Sequence, residues 1–74
     1  MEITVKLFGV FRIERFKQSK LSMMDGCKAQ AIIDQLQIPS TLLDIVLVNG
    51  VHADAEHVLQ DGDILTLLPL LEGG

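Results

Sequence analysis

Lys28-Ala29-Gln30-Ala31-Ile32-Ile33-Asp34-Gln35-Leu36-Gln37 carries the helical period of this chain. Ala29, Ile32, Ile33 and Leu36 fall at i, i+3, i+4 and i+7, on a single face. Lys28, Gln30, Asp34 and Gln35 cover the remainder. Asp25-Gly26 supplies a turn before the helix. Pro39 disfavours helical backbone at Ile38, so the predicted helix stops near Gln37. About three turns are too few to stand alone in water. The apolar stripe must therefore lie on a sheet, and all four stripe residues are predicted to be buried there.

Strands are predicted on both sides of the helix. Toward the N-terminus, Glu2 to Phe8 alternates, with Ile3, Val5 and Leu7 facing one way and Thr4, Lys6 and Phe8 the other. Gly9 ends it, a loop is predicted near Gly9-Val10-Phe11-Arg12, and a second strand falls somewhere within Arg15 to Met23. Beyond the helix, Ser40 to Asp44 reads as a connector. Ile45 to Val48 is a continuous apolar run suited to a strand with some burial on both faces. Asn49-Gly50 offers the residues of a tight hairpin turn, and Val51 to Ala53 would be the short returning strand. Asp54 to Gln60 is predicted to cross irregularly, anchored by Val58 and Leu59. Asp61-Gly62-Asp63 turns the chain into a last strand, Ile64 to Leu68.

The order β, β, α, β, short β, β predicts an α+β fold. It is a mixed sheet of four to five strands with one main helix on one face. A right-handed crossover places the first and last strands side by side and parallel. This is the β-grasp, ubiquitin-like architecture. Residues 1–69 would form the domain and residues 70–74 a flexible tail.

Composition narrows the functions open to such a domain. The chain has 74 residues, 49% of them hydrophobic, which suits one small globular unit. A net charge of −4, with no Trp or Tyr, argues against a general nucleic-acid binder. No apolar run approaches the roughly 18 residues of a membrane span, and Met1-Glu2-Ile3 lacks the start of a signal peptide. The predicted location is cytoplasmic, without membrane attachment. A single cysteine, Cys27, permits no internal disulfide.

The C-terminal run Leu67-Leu68-Pro69-Leu70-Leu71-Glu72-Gly73-Gly74 is the main functional candidate. Pro69 lacks an N–H, so the strand is predicted to end at Leu68 and an extended, exposed tail to follow. The five residues after it can span roughly 16 Å. Gly73 and Gly74 have no side chains and could enter a narrow channel. A slim end bearing one carboxylate is what another enzyme would need to act on that carboxylate. Two terminal glycines alone would more often be a frayed end.

Leu47-Val48-Asn49-Gly50, Val58-Leu59-Gln60-Asp61-Gly62-Asp63, Leu68-Pro69 and Gly73-Gly74 together resemble the ThiS/MoaD sulfur-carrier family. Its members show a V-N-G turn, an L-x-D-G-D turn and an end in Gly-Gly. Leu70 stands where the molybdopterin branch usually has a second proline, and Glu72 where a small residue is frequent. The pathway therefore stays open.

The resemblance implies a carrier with no catalytic residues of its own and no bound cofactor or metal. An activating enzyme resembling ubiquitin-activating enzymes would use ATP to adenylate Gly74, and a sulfur donor would then convert it to a thiocarboxylate. Gly73, Glu72, Leu71 and Leu70 would be read by the partners. The sulfur acceptor would be reached through a molybdopterin synthase large subunit or a thiazole synthase. A ubiquitin-like modifier, amide-linked to other proteins through the same glycine, is the alternative. An inert interaction module is a more distant third.

Other candidates are weaker. Cys27 lies near a helix start, where a thiol can be activated, but a small packed residue is the simpler reading. His52 and His57, with Asp54 or Glu56, fit no metal-ligand spacing. Arg12, Arg15, Lys17 and Lys20 read as a solvated sheet edge. Phe8, Ile64 and Leu68 would form an apolar open face if Leu65 and Leu67 point to the helix; the opposite register is equally compatible with the sequence.

Overall fold

Ile3, Val5 and Leu7 are completely buried, and the alternating residues of their strand, β1 (Glu2–Leu7), face away from them. The computed structural model describes residues 1–70. After β1 comes a 3₁₀ turn, η1 (Gly9–Arg12), then β2 (Gln18–Ser22), helix α1 (Ala29–Gln35), β3 (Leu43–Val48), β4 (Val51–Ala53) and β5 (Ile64–Pro69). The strands form one sheet in the order β2-β1-β5-β3-β4. β1 and β5 pair in parallel, Val5 opposite Leu65 and Leu7 opposite Leu67, while every other pairing is antiparallel. The predicted α+β β-grasp is the observed fold, with five strands.

One core lies between the sheet and α1. Ile3, Val5, Leu7, Val46, Val48, Leu65 and Leu67 meet Ala29, Ile32 and Ile33 of the helix, with Phe11, Ile38 and Leu59 closing the ends. Leu36 of the predicted stripe is only half-buried, because the helix ends there and Leu36 is its C-cap. Leu59 anchors the crossing segment as predicted, but Val58 does not: it is 51% exposed. Val58 forms an extended bridge with Lys28, and alternation along that extended stretch turns its side chain outward while Leu59 turns in.

The helix starts without a side-chain cap. The N–H groups of Ala29 and Gln30 donate instead to the carbonyls of His57 and Ala55, at 3.0 and 2.8 Å. Lys28 Nζ reaches Glu56 Oε2 at 2.8 Å across the same junction. At the other end Gln37 N–H donates to Asp34 and Ile38 N–H to Ile33, closing a Schellman turn. Gln37 has φ 56, a left-handed conformation that glycine usually fills.

Asn49 and Gly50 have φ 53 and 81, as the predicted hairpin turn requires. β3 begins at Leu43 rather than Ile45, with an irregularity in its pairing to β5 between those two residues.

The end of β5 also differs from expectation. The strand runs through Pro69, which pairs with Leu43, and Leu70 N–H donates to Leu42 O at 2.7 Å. N–H groups alternate sides along a strand. Leu70 points its N–H toward β3, so the missing N–H of Pro69 faces the other side, where β1 has already ended at Leu7. A proline is tolerated where no ladder partner awaits it.

Candidate functional site

Leu65 and Leu67 are fully buried, which fixes the register of β5 and puts Ile64, Thr66 and Leu68 on the open face. Ile45 lies opposite Leu68 and Leu47 opposite Thr66 on that face. Phe8 follows β1 there, 37% exposed, and Ile64 is 36% exposed. Phe8, Gly9, Asp44, Ile45, Leu68 and Pro69 line an open groove of about 290 Å³. Leu70 follows Pro69 in sequence and is half exposed. The candidate residues Phe8 and Leu68 thus share one groove, and Ile64 lies further back along the same face. Leu71, Glu72, Gly73 and Gly74 lie outside the described residues.

η1 sets the mouth of this groove. Phe11 is buried and pins the turn to the core. Gly9, at φ 55, approaches Pro69 so closely that a Cβ at Gly9 would sit 3.0 Å from Pro69 Cγ. Only glycine meets both the conformation and the contact. The turn therefore braces the proline from which the chain departs.

The basic cluster is not a simple solvated edge. Arg12 Nε donates to Leu7 O at 2.7 Å, and its guanidinium lies 4.9 Å from the centre of the Phe8 ring. Arg15 donates from Nε to Leu36 O at 2.8 Å and from Nη2 to Gln37 O at 3.0 Å. It thereby satisfies the carbonyls at the helix C-terminus. Sequence spacing could not reveal this role, because the partners are 21 and 22 residues away. Lys17 and Lys20 are exposed, as expected.

The two turn motifs are structural and touch each other: the Asn49 amide reaches the Asp63 carboxylate. Asp61 Oδ1 accepts from Glu2 N–H at 2.7 Å, fastening the same turn to the start of β1.

Cys27 is half-buried against the core. Burial pushes its thiol up, with the N-terminal ammonium pulling weakly the other way. This is the opposite of an activated nucleophile. His52 and His57 are both exposed, His52 within β4. They border a larger depression of about 350 Å³ at the β4 edge, remote from the departing chain. Among the described residues no three His, Cys, Asp or Glu come together as metal ligands. Nor is any helix among them long and apolar enough to cross a membrane.

A ubiquitin-like β-grasp with an open apolar groove that includes Leu68 and Pro69 is the class these features define. Residues 5–73 match the model of the Mut7-C ubiquitin family, and the chain belongs to that family. The fold is similar to SAMP1 from Haloferax volcanii, at 20% identity, TM-score 0.81 and full coverage of both chains. It is similar to a putative molybdopterin converting factor subunit 1 from Pyrococcus furiosus, at 19% identity and TM-score 0.77, over 96% of this chain and 99% of that one. A chain in the Helicobacter pylori complex of molybdopterin-converting factor subunits 1 and 2 matches at 24% identity and TM-score 0.68, over 100% of each. The ubiquitin-like kinship implied by the sequence motifs holds at the level of fold. No functionally curated protein matches at a significant level.

Proposed function

We propose that the protein is a carrier activated at its C-terminal glycine and charged with sulfur. One observation carries this reading. The apolar groove of Phe8, Ile45, Leu68 and Pro69 includes the residue immediately before Leu70, the last described residue of the chain. A partner seated on that groove would, on this reading, take the residues that follow Leu70 into its own active site. On this reading an activating enzyme and its ATP adenylate Gly74, pyrophosphate departs, and sulfur from a donor then displaces AMP at the glycine carbonyl. The groove and Leu70 supply binding, and residues 71–74 supply reach. The bases, metals and nucleotide belong to the partners.

The carrier reading places the chain in the cytoplasm, with a large synthase subunit as sulfur acceptor. The molybdopterin-type partner is supported by the resemblance to converting factor subunit 1, and a thiazole synthase is the other candidate. Likeness to SAMP1, described as a small archaeal modifier protein, favours a second reading: conjugation of Gly74 to other proteins.

Pyrophosphate exchange with the activating enzyme tests the shared first step. Deleting Gly74 retracts the carboxylate by about 3.5 Å and should abolish exchange without altering stability. Undiminished exchange by that variant would discard both readings. Mass spectrometry of protein from its own cell separates them: an oxygen-to-sulfur mass gain marks the carrier, and lysine conjugates mark the modifier.

A further inference from the structure

The cations of the chain gather on one side of the sheet. Five of the six Lys and Arg lie between Lys6 and Lys20, and eight of the ten Asp and Glu follow Met23. β2 forms one edge beside β1, so Lys6 on β1 and Lys20 on β2 gather at that side of the sheet, whereas Asp44 lies across the groove on β3. Three of the cations belong to the open face. Lys6 lies between Gln18 and Thr66, and Lys20 lies opposite Thr4, all on the side away from the core. Arg12 covers the Phe8 ring, its Nε already held by Leu7 O. These three line the β1–β2 side of the apolar surface formed by Phe8, Leu68 and Ile45.

Their charge is available. Lys20 meets Glu2 at 3.8 Å, with both side chains more than half exposed, a contact that solvent largely screens. Lys6 and Arg12 have no ion pair among the described residues.

We propose that the protein surface docking on the open face bears carboxylates along one margin, seated against Lys6, Lys20 and Arg12. Its apolar centre rests on Phe8, Ile45 and Leu68. The proposal rests on the carrier-or-modifier reading and specifies how the activating enzyme approaches. An apolar patch alone tolerates rotation of its partner. A cationic margin on one side only fixes the direction, so that the departing chain faces the enzyme's active site. Arg12 is pre-ordered by its ring and carbonyl contacts, which reduces the entropy lost on docking. A nucleic acid suits this margin less well. The cations border an apolar centre, no Trp or Tyr is present for base stacking, and the rest of the chain is anionic.

The test is pyrophosphate exchange by the full chain with the activating enzyme of the same cell, across a range of salt. For Lys6→Glu/Lys20→Glu the expected result is a KM for the chain raised about tenfold at low salt with little change in kcat. KM of the unaltered protein should climb with salt, and that of the variant should barely respond. Lys6→Gln/Lys20→Gln, with a smaller rise of the same kind, serves if the reversed variant fails to fold. Normal exchange by the unaltered protein, with both variants matching it in KM and salt response, would overturn the acidic margin and leave the carrier reading standing. No exchange by the unaltered protein would overturn both. Tight binding of a single-stranded oligouridylate, lost in the double variant, would assign the margin to nucleic acid instead.

Discussion

Asn49 Nδ2 donates to Asp63 Oδ1 at 2.9 Å, and this bond joins the β3–β4 hairpin turn to the turn that launches β5. Asn49 Oδ1 accepts from Ile64 N–H at 2.9 Å, and Asn49 N–H donates to Ile64 O at 2.8 Å. The other oxygen of Asp63 accepts from Gln60 N–H at 2.8 Å. Asn49 must also hold φ 53, which asparagine tolerates better than most residues. Asn49→Ala removes both side-chain bonds and keeps the strain. Urea denaturation should show a loss of about 1–3 kcal/mol. Asn49→Gly, which relieves the strain while losing the same bonds, should cost less.

Arg15 should matter more to stability than its surface position suggests. Arg15→Ala strips the donors from Leu36 O and Gln37 O and should cost about 1–2 kcal/mol. Arg15→Lys should recover only part of this, because one ammonium cannot reproduce the planar fork. Indistinguishable melting curves for Arg15→Ala would remove the capping role. Gln37→Gly should be neutral or stabilising by up to about 1 kcal/mol, as glycine fits the left-handed C′ position without strain.

The helix stripe should divide into strong and weak positions. Ile33 is 2% exposed, and Ile33→Ala should cost about 2–5 kcal/mol. Leu36, half-buried at the C-cap, should lose less on truncation to Ala. Equal losses at the two sites would contradict the observed packing.

Cys27 should react slowly. Its thiol is raised by burial, so alkylation by iodoacetamide near neutral pH should be slower in the native protein than in urea. The same shift has a sign in stability. The folded state holds the thiol proton more tightly than the unfolded chain. The contribution is complete below the free thiol's value, about pH 8.5, and is lost as pH rises through the folded value. Cys27→Ser should remove that part of the alkaline decline. Lys28, raised by its hydrogen bond to Glu56, keeps its own at higher pH.

Much of this architecture was legible because its signals are local. The alternation of Glu2 to Phe8, the one-face spacing of Ala29, Ile32 and Ile33, and the Asn49-Gly50 turn depend on near neighbours, and each appears where the residues indicate. What was not legible depends on contacts between distant segments. Arg15 looks like any edge cation until Leu36 and Gln37 arrive beside it. The helix start has no capping side chain to read, because His57 and Ala55 provide the acceptors. Pro69 reads as a strand terminator, yet the side of the strand it disturbs has no partner. The register of β5 is invisible in an apolar run such as Ile64 to Leu68; burial of Leu65 and Leu67 against the helix decides it. At the candidate site, Phe8, Ile64 and Leu68 could be grouped from sequence only on condition of that register. The contact of Gly9 with Pro69 that shapes the groove mouth was not legible.

β5 lies in the middle of the sheet although it follows the other four described strands in sequence. Until it docks, β1–β2 and β3–β4 are two antiparallel pairs with no strand between them. Assembly must wait for a strand that joins both at once, a long-range closure that slows folding relative to a helical protein of this size. The groove is built from that same strand and the turn that braces it. A chain in which β5 has not docked therefore lacks this groove, and a partner that recognises it selects folded molecules over unfolded ones.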